Sequence, residues 1–227
     1  MLNAFFVLAR MDSSRLPGKA FLKLGNTTLL GSIINRLGNI GDFKVVVLTT
    51  DRETDDRIAG FAQDNDCLVF RGDPEDVSDR IVSAIREFNV SLFFRINGDS
   101  PCLDITLIEN AISRYNASPC DFVSNLVRRT WPYGVAIELF NSKCYVETQQ
   151  YFSSPEEKEH PTSYFYQHIN DFNYLELKNE TDWSRHSLTV DTPDDYIFLL
   201  TLLEKYPEFL NTDTAERIKL LEEFAHD

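Results

Sequence analysis

From residue 3 to residue 115, short apolar runs alternate with segments whose apolar residues recur at helical spacing, and this rhythm constrains the fold more than any other feature. Asn3–Ala9 reads as a buried strand, and Leu29, Leu30, Ile33, Ile34 and Leu37 then share one helix face. Lys44–Thr50 (KVVVLTT) is continuous and β-branched, as in strands covered on both faces. A helix over Asp51–Asp64, a strand at Cys67–Phe70, a helix over Glu75–Phe88, a strand at Ser91–Ile96 and a helix over Ile105–Tyr115 follow. Units of this kind cross over right-handedly, so the expected fold class is α/β, a mostly parallel sheet with helices on both faces.

After Asp121 the rhythm loosens. Phe122–Asn125, Val135–Phe140 and Asn173–Leu177 read as strands, and Ser153–Ser163 (SSPEEKEHPTS) is a polar, proline-containing break. A short strand at Ser187–Val190, a helix over Pro193–Tyr206 and a last helix over Asp213–Ala225 complete the expectation. The 227 residues read as one domain, 1–227, with a less regular insertion at roughly 125–175. The net charge of −14 argues against a general nucleic-acid or membrane-surface binder, which needs a broad cationic face. Cys67, Cys102, Cys120 and Cys144 show neither a CxxC pair nor metal-ligand spacing, and read as buried thiols in a reducing cytoplasm. No apolar run approaches the ~18–20 residues that a membrane span needs, and no signal peptide is expected.

In so acidic a chain, a local cluster of cations is informative. The loop after the first strand, ARMDSSRLPGK, holds Arg10, Arg15 and Lys19 with Ser13 and Ser14 between them. Guanidinium, ammonium and hydroxyl groups past a strand end form an anion site, and polyphosphate is the expected ligand. Asp99 in RINGDSPCLD follows a later strand, where a carboxylate can hold a hard divalent cation; an Asx turn is the competing reading. Asp104 suits a helix cap, and so do Asp194 and Asp195. Asp191, just before that second cap, is the other metal candidate. Neither GxxxxGK[ST] nor GxGxxG occurs.

ARMDSSRLPGKAF closely resembles the N-terminal motif of the cytidylyltransferases that activate acidic sugars, the acylneuraminate and 3-deoxy-manno-octulosonate enzymes and the spore coat SpsF-type branch. The likeness continues in order through LTTDRETDDRIA, VFRGDPEDVSDR, RINGDSPCLD, FVSNLVRRTWPYGVAIELF, EKEHPTSYFY and LTVDTPDDY, and the SpsF-type branch is nearest. This resemblance implies a nucleotide-diphospho-sugar transferase fold, a homodimer, and Mg²⁺-dependent transfer of CMP from CTP to a sugar with release of pyrophosphate. It implies that Arg10, Ser14, Arg15 and Lys19 bind the triphosphate, with Arg15 and Lys19 catalytic. Ala9, Arg71, Gly72, Asp73, Asn97 and Gly98 would also bind the nucleotide. Asp99 and Asp191 would hold the metal, and Tyr133, Gly134, Glu138 and Arg128 would face the sugar. Two positions depart from the pattern: Ala136 replaces a common acid, and Leu8 replaces a common polar residue.

His160 and His168 read as surface or interface residues, while His186, close to Asp191 in sequence, is open between packing and substrate contact. Cys102 reads as a packing residue, and Trp131 and Tyr133 as core, dimer or sugar contacts. Competing expectations are a glycosyltransferase on a similar fold, a nucleotidyltransferase for another base, and a homologue that binds nucleotide without turnover. The glycosyltransferase usually needs an acid pair that NGDS lacks.

Overall fold

A computed structural model of the chain describes residues 1–38 and 40–226. Its first half runs β1 (Leu2–Leu8), β2 (Lys23–Leu24), β3 (Thr27–Thr28), α1 (Leu29–Leu37), β4 (Phe43–Thr50), α2 (Asp56–Asp64), β5 (Leu68–Gly72), α3 (Val77–Phe88), β6 (Val90–Asn97) and α4 (Ile105–Ala117). The second half runs β7 (Phe122–Ser124), β8 (Glu138–Asn141), α5 (Ser142–Gln149), α6 (Pro155–Glu159), α7 (Ser163–Gln167), β9 (Tyr174–Glu176), α8 (Pro193–Lys205) and α9 (Thr214–His226). Side chains satisfy orphan N–H groups at several helix starts. Thr28, Asp76 and Asp104 accept from Gly31 N, Asp79 N and Leu107 N at 3.1, 2.8 and 2.9 Å. Thr192 and Asp195 form a capping box behind Pro193.

Seven strands form one sheet in the order β5-β4-β1-β6-β8-β7-β9, and only β8 runs against the others. β1 lies between β4 and β6, and its Ala4, Phe5, Phe6 and Val7 are fully buried. Alternate residues feed two apolar layers. Phe5 and Val7 pack with residues of α1, α2, α4, α8 and α9, whereas Ala4 and Phe6 pack with residues of α3, α5 and α7. The chain builds outward from β1 through β4 to β5, then crosses to β6 on the other flank. That reversal opens a crevice at the carboxyl ends of β1 and β6, the usual ligand position in open α/β sheets.

Three expectations change. Ser187–Val190 is no strand: Ser187 forms one isolated bridge with Tyr133, and Val190 N donates to Asp99 O (2.9 Å). The polar break at 153–163 contains α6, closed by a capping box of Ser154 and Glu157, because those two residues meet each other's orphan groups. The segment over Asp51–Asp64 opens with a 3-10 turn at Glu53–Asp55 before α2.

Candidate active site

The cationic loop is pinned at both ends. Ala9 N still donates to Leu48 O of β4 (3.1 Å), and Gly18 N closes onto Met11 O (2.8 Å). A short 3-10 turn, Lys19–Phe21, then aims Lys19 back across the strand ends. The anchor is Asp55, only 1% exposed. One oxygen accepts from Met11 N (2.7 Å) and the other from Thr50 N (3.3 Å) and the Thr50 hydroxyl. A buried carboxylate thereby ties the loop to the end of β4.

Opposite the loop, β6 ends in Asn97–Gly98–Asp99. Gly98 N donates to Leu8 O (2.9 Å), and a Cβ at Gly98 would lie 2.5 Å from that oxygen, so only glycine lets the two strand ends approach. Val190 N bonds to the Asp99 carbonyl, which carries Asp191 in beside Asp99. The two carboxylates meet on one cation: Lys19 Nζ lies 2.8 Å from Asp99 Oδ2 and 3.0 Å from Asp191 Oδ1. Arg15 pairs with the other oxygen of Asp191. Asp195 accepts from Asp191 N (3.0 Å) and Thr192 N (2.8 Å). Burial would raise the Asp195 carboxyl, but the Thr192 hydroxyl and these backbone groups hold it below the ordinary carboxylate value.

These groups border one cavity of about 320 Å³ that contains, of the expected site residues, Ala9, Arg10, Ser14, Arg15, Lys19, Asn97, Gly98, Asp99 and Asp191. It straddles the sheet edge. Ala20 belongs to the apolar layer of α1 and α8, Leu8 and Val77 to that of α3, and Arg80 is carried by α3 itself.

Arg80 was not among the expected site residues. It is 3% exposed, lines the cavity, and donates through Nη2 to the carbonyls of Asp73 (2.6 Å) and Pro74 (3.3 Å), while its buried Nε has no partner. Burial, and then the neighbouring Arg10 guanidinium, push its pKa below the ordinary arginine value. The sequence does carry a signal for it: Arg80 falls on the same helical face as Val77, Ile81 and Ala84, so a charge stands inside an apolar stripe. Glu159 and His160 also line the cavity from the end of α6. Lys158–Asp76 (3.3 Å) and Arg10–Glu159 (3.9 Å) hold α6 over α3 and the loop. His160 is exposed, as expected of a surface residue, and also lines the cavity, whereas His186 lies outside, its Nε2 accepting from Arg185 Nε (3.1 Å).

Several expected residues lie outside the cavity lining. Arg71 clips the loop after β4, donating to Thr50 O (2.9 Å) and Arg52 O (2.8 Å) and pairing with Asp56 (2.6 Å). Gly72 lies beneath the Arg80 side chain, and the Asp73 carboxylate accepts from Glu75 N (2.8 Å). Arg128 pairs with Glu176. Tyr133 is 52% exposed beneath the Arg129 guanidinium, 4.0 Å from its ring centroid. Gly134 has φ +89°, and a Cβ there would meet the Leu188 backbone at 2.6 Å, so its role is to let that segment pass.

Glu138, expected to face the sugar, lies beneath the surface, outside the cavity lining. Fully buried, it pairs with Arg95 (2.6 Å), its neighbour across β6 and β8, and accepts from Tyr166 OH (2.9 Å), which is 2.7 Å from Ser124 Oγ. Burial would lower Arg95, but Glu138 more than offsets it and holds the guanidinium above its ordinary value. Burial, and then Glu138, push the Tyr166 phenol well up.

Among the described residues, no three His, Cys, Asp or Glu side chains cluster as a metal site. Asp99 and Asp191 offer two hard oxygen donors converging on one point. That is compatible with Mg²⁺, which takes one or two carboxylates and fills its shell with phosphate oxygens and water.

A cationic loop at the switch point of an open sheet, facing a carboxylate pair, is the arrangement expected of a nucleotide-dependent transferase. The chain matches the family described as Cytidylyltransferase over residues 4–221. It is 29% identical over 225 residues to the spore coat polysaccharide biosynthesis protein SpsF of Bacillus subtilis (strain 168), covering 96% of this chain and 92% of that one. It is 30% identical over 171 residues to the 3-deoxy-manno-octulosonate cytidylyltransferase of Chlamydia trachomatis serovar A, covering 71% and 66%. Among solved structures, a cytidylyltransferase from Leptospira borgpetersenii serovar Hardjo-bovis superposes with TM-score 0.92 at 30% identity, covering 100% of this chain and 96% of that one. The chain belongs to the cytidylyltransferase family and is a nucleotidyltransferase with the fold expected of it.

Proposed function

We propose that this protein transfers CMP from CTP to a hydroxyl of an acidic sugar, releasing pyrophosphate, and so supplies activated sugar for polysaccharide synthesis. The observation that carries the reading is the convergence of Lys19 and Arg15 with Asp99 and Asp191 at the ends of β1 and β6. Its sugar class rests on the likeness to SpsF and to the octulosonate enzyme. Phosphoryl transfer needs positioning and charge neutralisation more than covalent help. Arg10, Ser14, Arg15 and Lys19 orient the triphosphate and neutralise the departing pyrophosphate as charge builds on it. Asn97 and Gly98 shape the cavity floor, and Arg80 adds a cation to its α3 side. Asp99 and Asp191 would hold Mg²⁺, which, when bound, supplies charge neutralisation at phosphate oxygens and lowers the pKa of the attacking hydroxyl. A homodimer formed through residues 125–175 and a cytoplasmic location belong to the same reading; among the described residues, no helix is long and apolar enough to cross a membrane.

The test is pyrophosphate release with CTP, GTP, UTP or ATP against a panel of nonulosonic, octulosonic and neutral sugars, with and without Mg²⁺. The expected result is release specific to CTP and an acidic sugar, dependent on Mg²⁺ and reduced in Lys19→Ala by a factor on the order of 10²–10³. Glycosyl transfer from a nucleotide-sugar, without pyrophosphate release from any triphosphate, would overturn the proposal.

A further inference from the structure

The cation that joins Asp99 to Asp191 in this structure belongs to the protein itself. Lys19 Nζ bonds to one oxygen of each carboxylate, at 2.8 and 3.0 Å, and its side chain is only 14% exposed where the acids are each 25% exposed. Arg15 takes the second oxygen of Asp191, and Ser100 Oγ donates to the second oxygen of Asp99 (3.2 Å). The two carboxylates are already paired with two cations, while the nearby Asp195 carboxylate is taken up by the Asp191 and Thr192 N–H groups, so the acid pair offers a further cation less attraction than a bare pair would. A magnesium ion needs carboxylate oxygens at about 2.0–2.1 Å, and three of these four oxygens already carry an ammonium or a guanidinium.

We infer that Lys19 holds the metal's place, and that the acid pair accepts a divalent cation only after a triphosphate has drawn Lys19 and Arg15 away. This rests on the assignment of the metal to Asp99 and Asp191. The charge balance sets the order. A triphosphate in the loop offers the two cations a denser negative charge than the carboxylates do. Once they turn to it, Asp99 and Asp191 are left as two adjacent, uncompensated carboxylates, and a dication becomes the partner they require. Coupling of this kind is reciprocal, so the metal must tighten triphosphate binding by the same factor. A free metal ion then does not settle between the carboxylates ahead of the nucleotide.

The experiment is Mn²⁺ titration, followed by calorimetry and by loss of the free-ion electron paramagnetic resonance signal, without nucleotide. The proteins are wild type, Lys19→Met, Lys19→Gln, and the double variant Lys19→Met with Asp99→Asn. Both single variants are expected to bind Mn²⁺ about tenfold or more tightly than wild type, within the usual range of coupling between sites, and the double variant is expected to lose the gain. Melting curves of each variant establish that it is folded, and two different replacements of Lys19 keep the test independent of either one's stability. Single variants that bind Mn²⁺ no better than wild type overturn the inference. A companion titration separates the two ideas: CTP binding to wild type and Asp99→Asn is measured with and without Mn²⁺. If Mn²⁺ strengthens CTP binding only in wild type while the Lys19 variants show no gain, the place-holding role alone falls. If Mn²⁺ strengthens CTP binding equally in Asp99→Asn, the acid-pair assignment falls with it.

Discussion

Replacing Asp55 by alanine tests whether the cationic loop is held from below. The carboxylate is buried and accepts from Met11 N at 2.7 Å, Thr50 N at 3.3 Å and the Thr50 hydroxyl. Its removal leaves two backbone N–H groups without acceptors, one in the fully buried Thr50 and one in the half-buried Met11. An unsatisfied buried donor costs about 1–3 kcal/mol, and two such groups, one only half buried, sum to about 2–5 kcal/mol by the same measure. In a protein of this size each kcal/mol moves the melting temperature by roughly 2–4 °C, so differential scanning calorimetry should show a fall of about 5–20 °C. The loop start would also drift, and misplacing a binding group by about an ångström lowers kcat/KM by a factor on the order of 10–10². Arg52→Ala is the contrast. It removes ion pairs to Asp12 and Glu75 beside the same loop, but Arg52 and Glu75 are 41% and 79% exposed, and surface pairs contribute only about 0–1 kcal/mol. An Asp55→Ala protein that melts within about 1 °C of wild type, or no lower than Arg52→Ala, would refute the argument.

Glu138→Ala should destabilise by about 3–5 kcal/mol in urea unfolding, because it strands the buried Arg95 charge, while Glu138→Gln, which keeps the Tyr166 bond, should be milder; equal stabilities would contradict the buried-pair reading. Arg80→Lys keeps the charge but loses the reach to the Asp73 and Pro74 carbonyls, and should weaken CTP binding by about tenfold or more in calorimetry; unchanged affinity would remove Arg80 from the site. Asp195 has a folded pKa below its unfolded value, so its contribution is present above about pH 4 and is lost as pH falls through the folded value. Stability profiles should therefore show Asp195→Asn flatter than wild type on the acid side and lower at neutral pH, and identical profiles would refute the assignment.

Local pattern made the parallel half of the sheet legible. KVVVLTT is β4 less one residue, and the helical stripes of α1, α3 and α4 sit within two residues of their expected bounds. The loop Arg10–Lys19 and the two acids were readable because open sheets bind ligands beyond strand ends, and such loops carry their chemistry in contiguous residues. What failed depends on distant partners. Ser187–Val190 has β-branched, apolar composition, but its backbone bonds to Tyr133 and the Asp99 carbonyl and not to a strand ladder, so it stays an extended connector. The burial of Glu138 is equally hidden, because nothing local reveals that Arg95, 43 residues earlier, neutralises it across the sheet. Asp55 looks like one more surface acid in TTDRETDD, and only the fold brings Met11 onto it.

The single bond from Val190 N to Asp99 O has a temporal consequence. Asp191 is 172 residues downstream of the lysine it meets, and every other wall of the cavity is already synthesised when it emerges. At translation rates of about 5–20 residues per second, the nascent chain spends several seconds with the loop residues and Asp99 synthesised but without Asp191. During that interval it can attract polyanions but lacks the second carboxylate. The second carboxylate therefore joins the cluster only when the Asp191 segment docks, and the Lys19–Asp191 contact becomes a late reporter of folding.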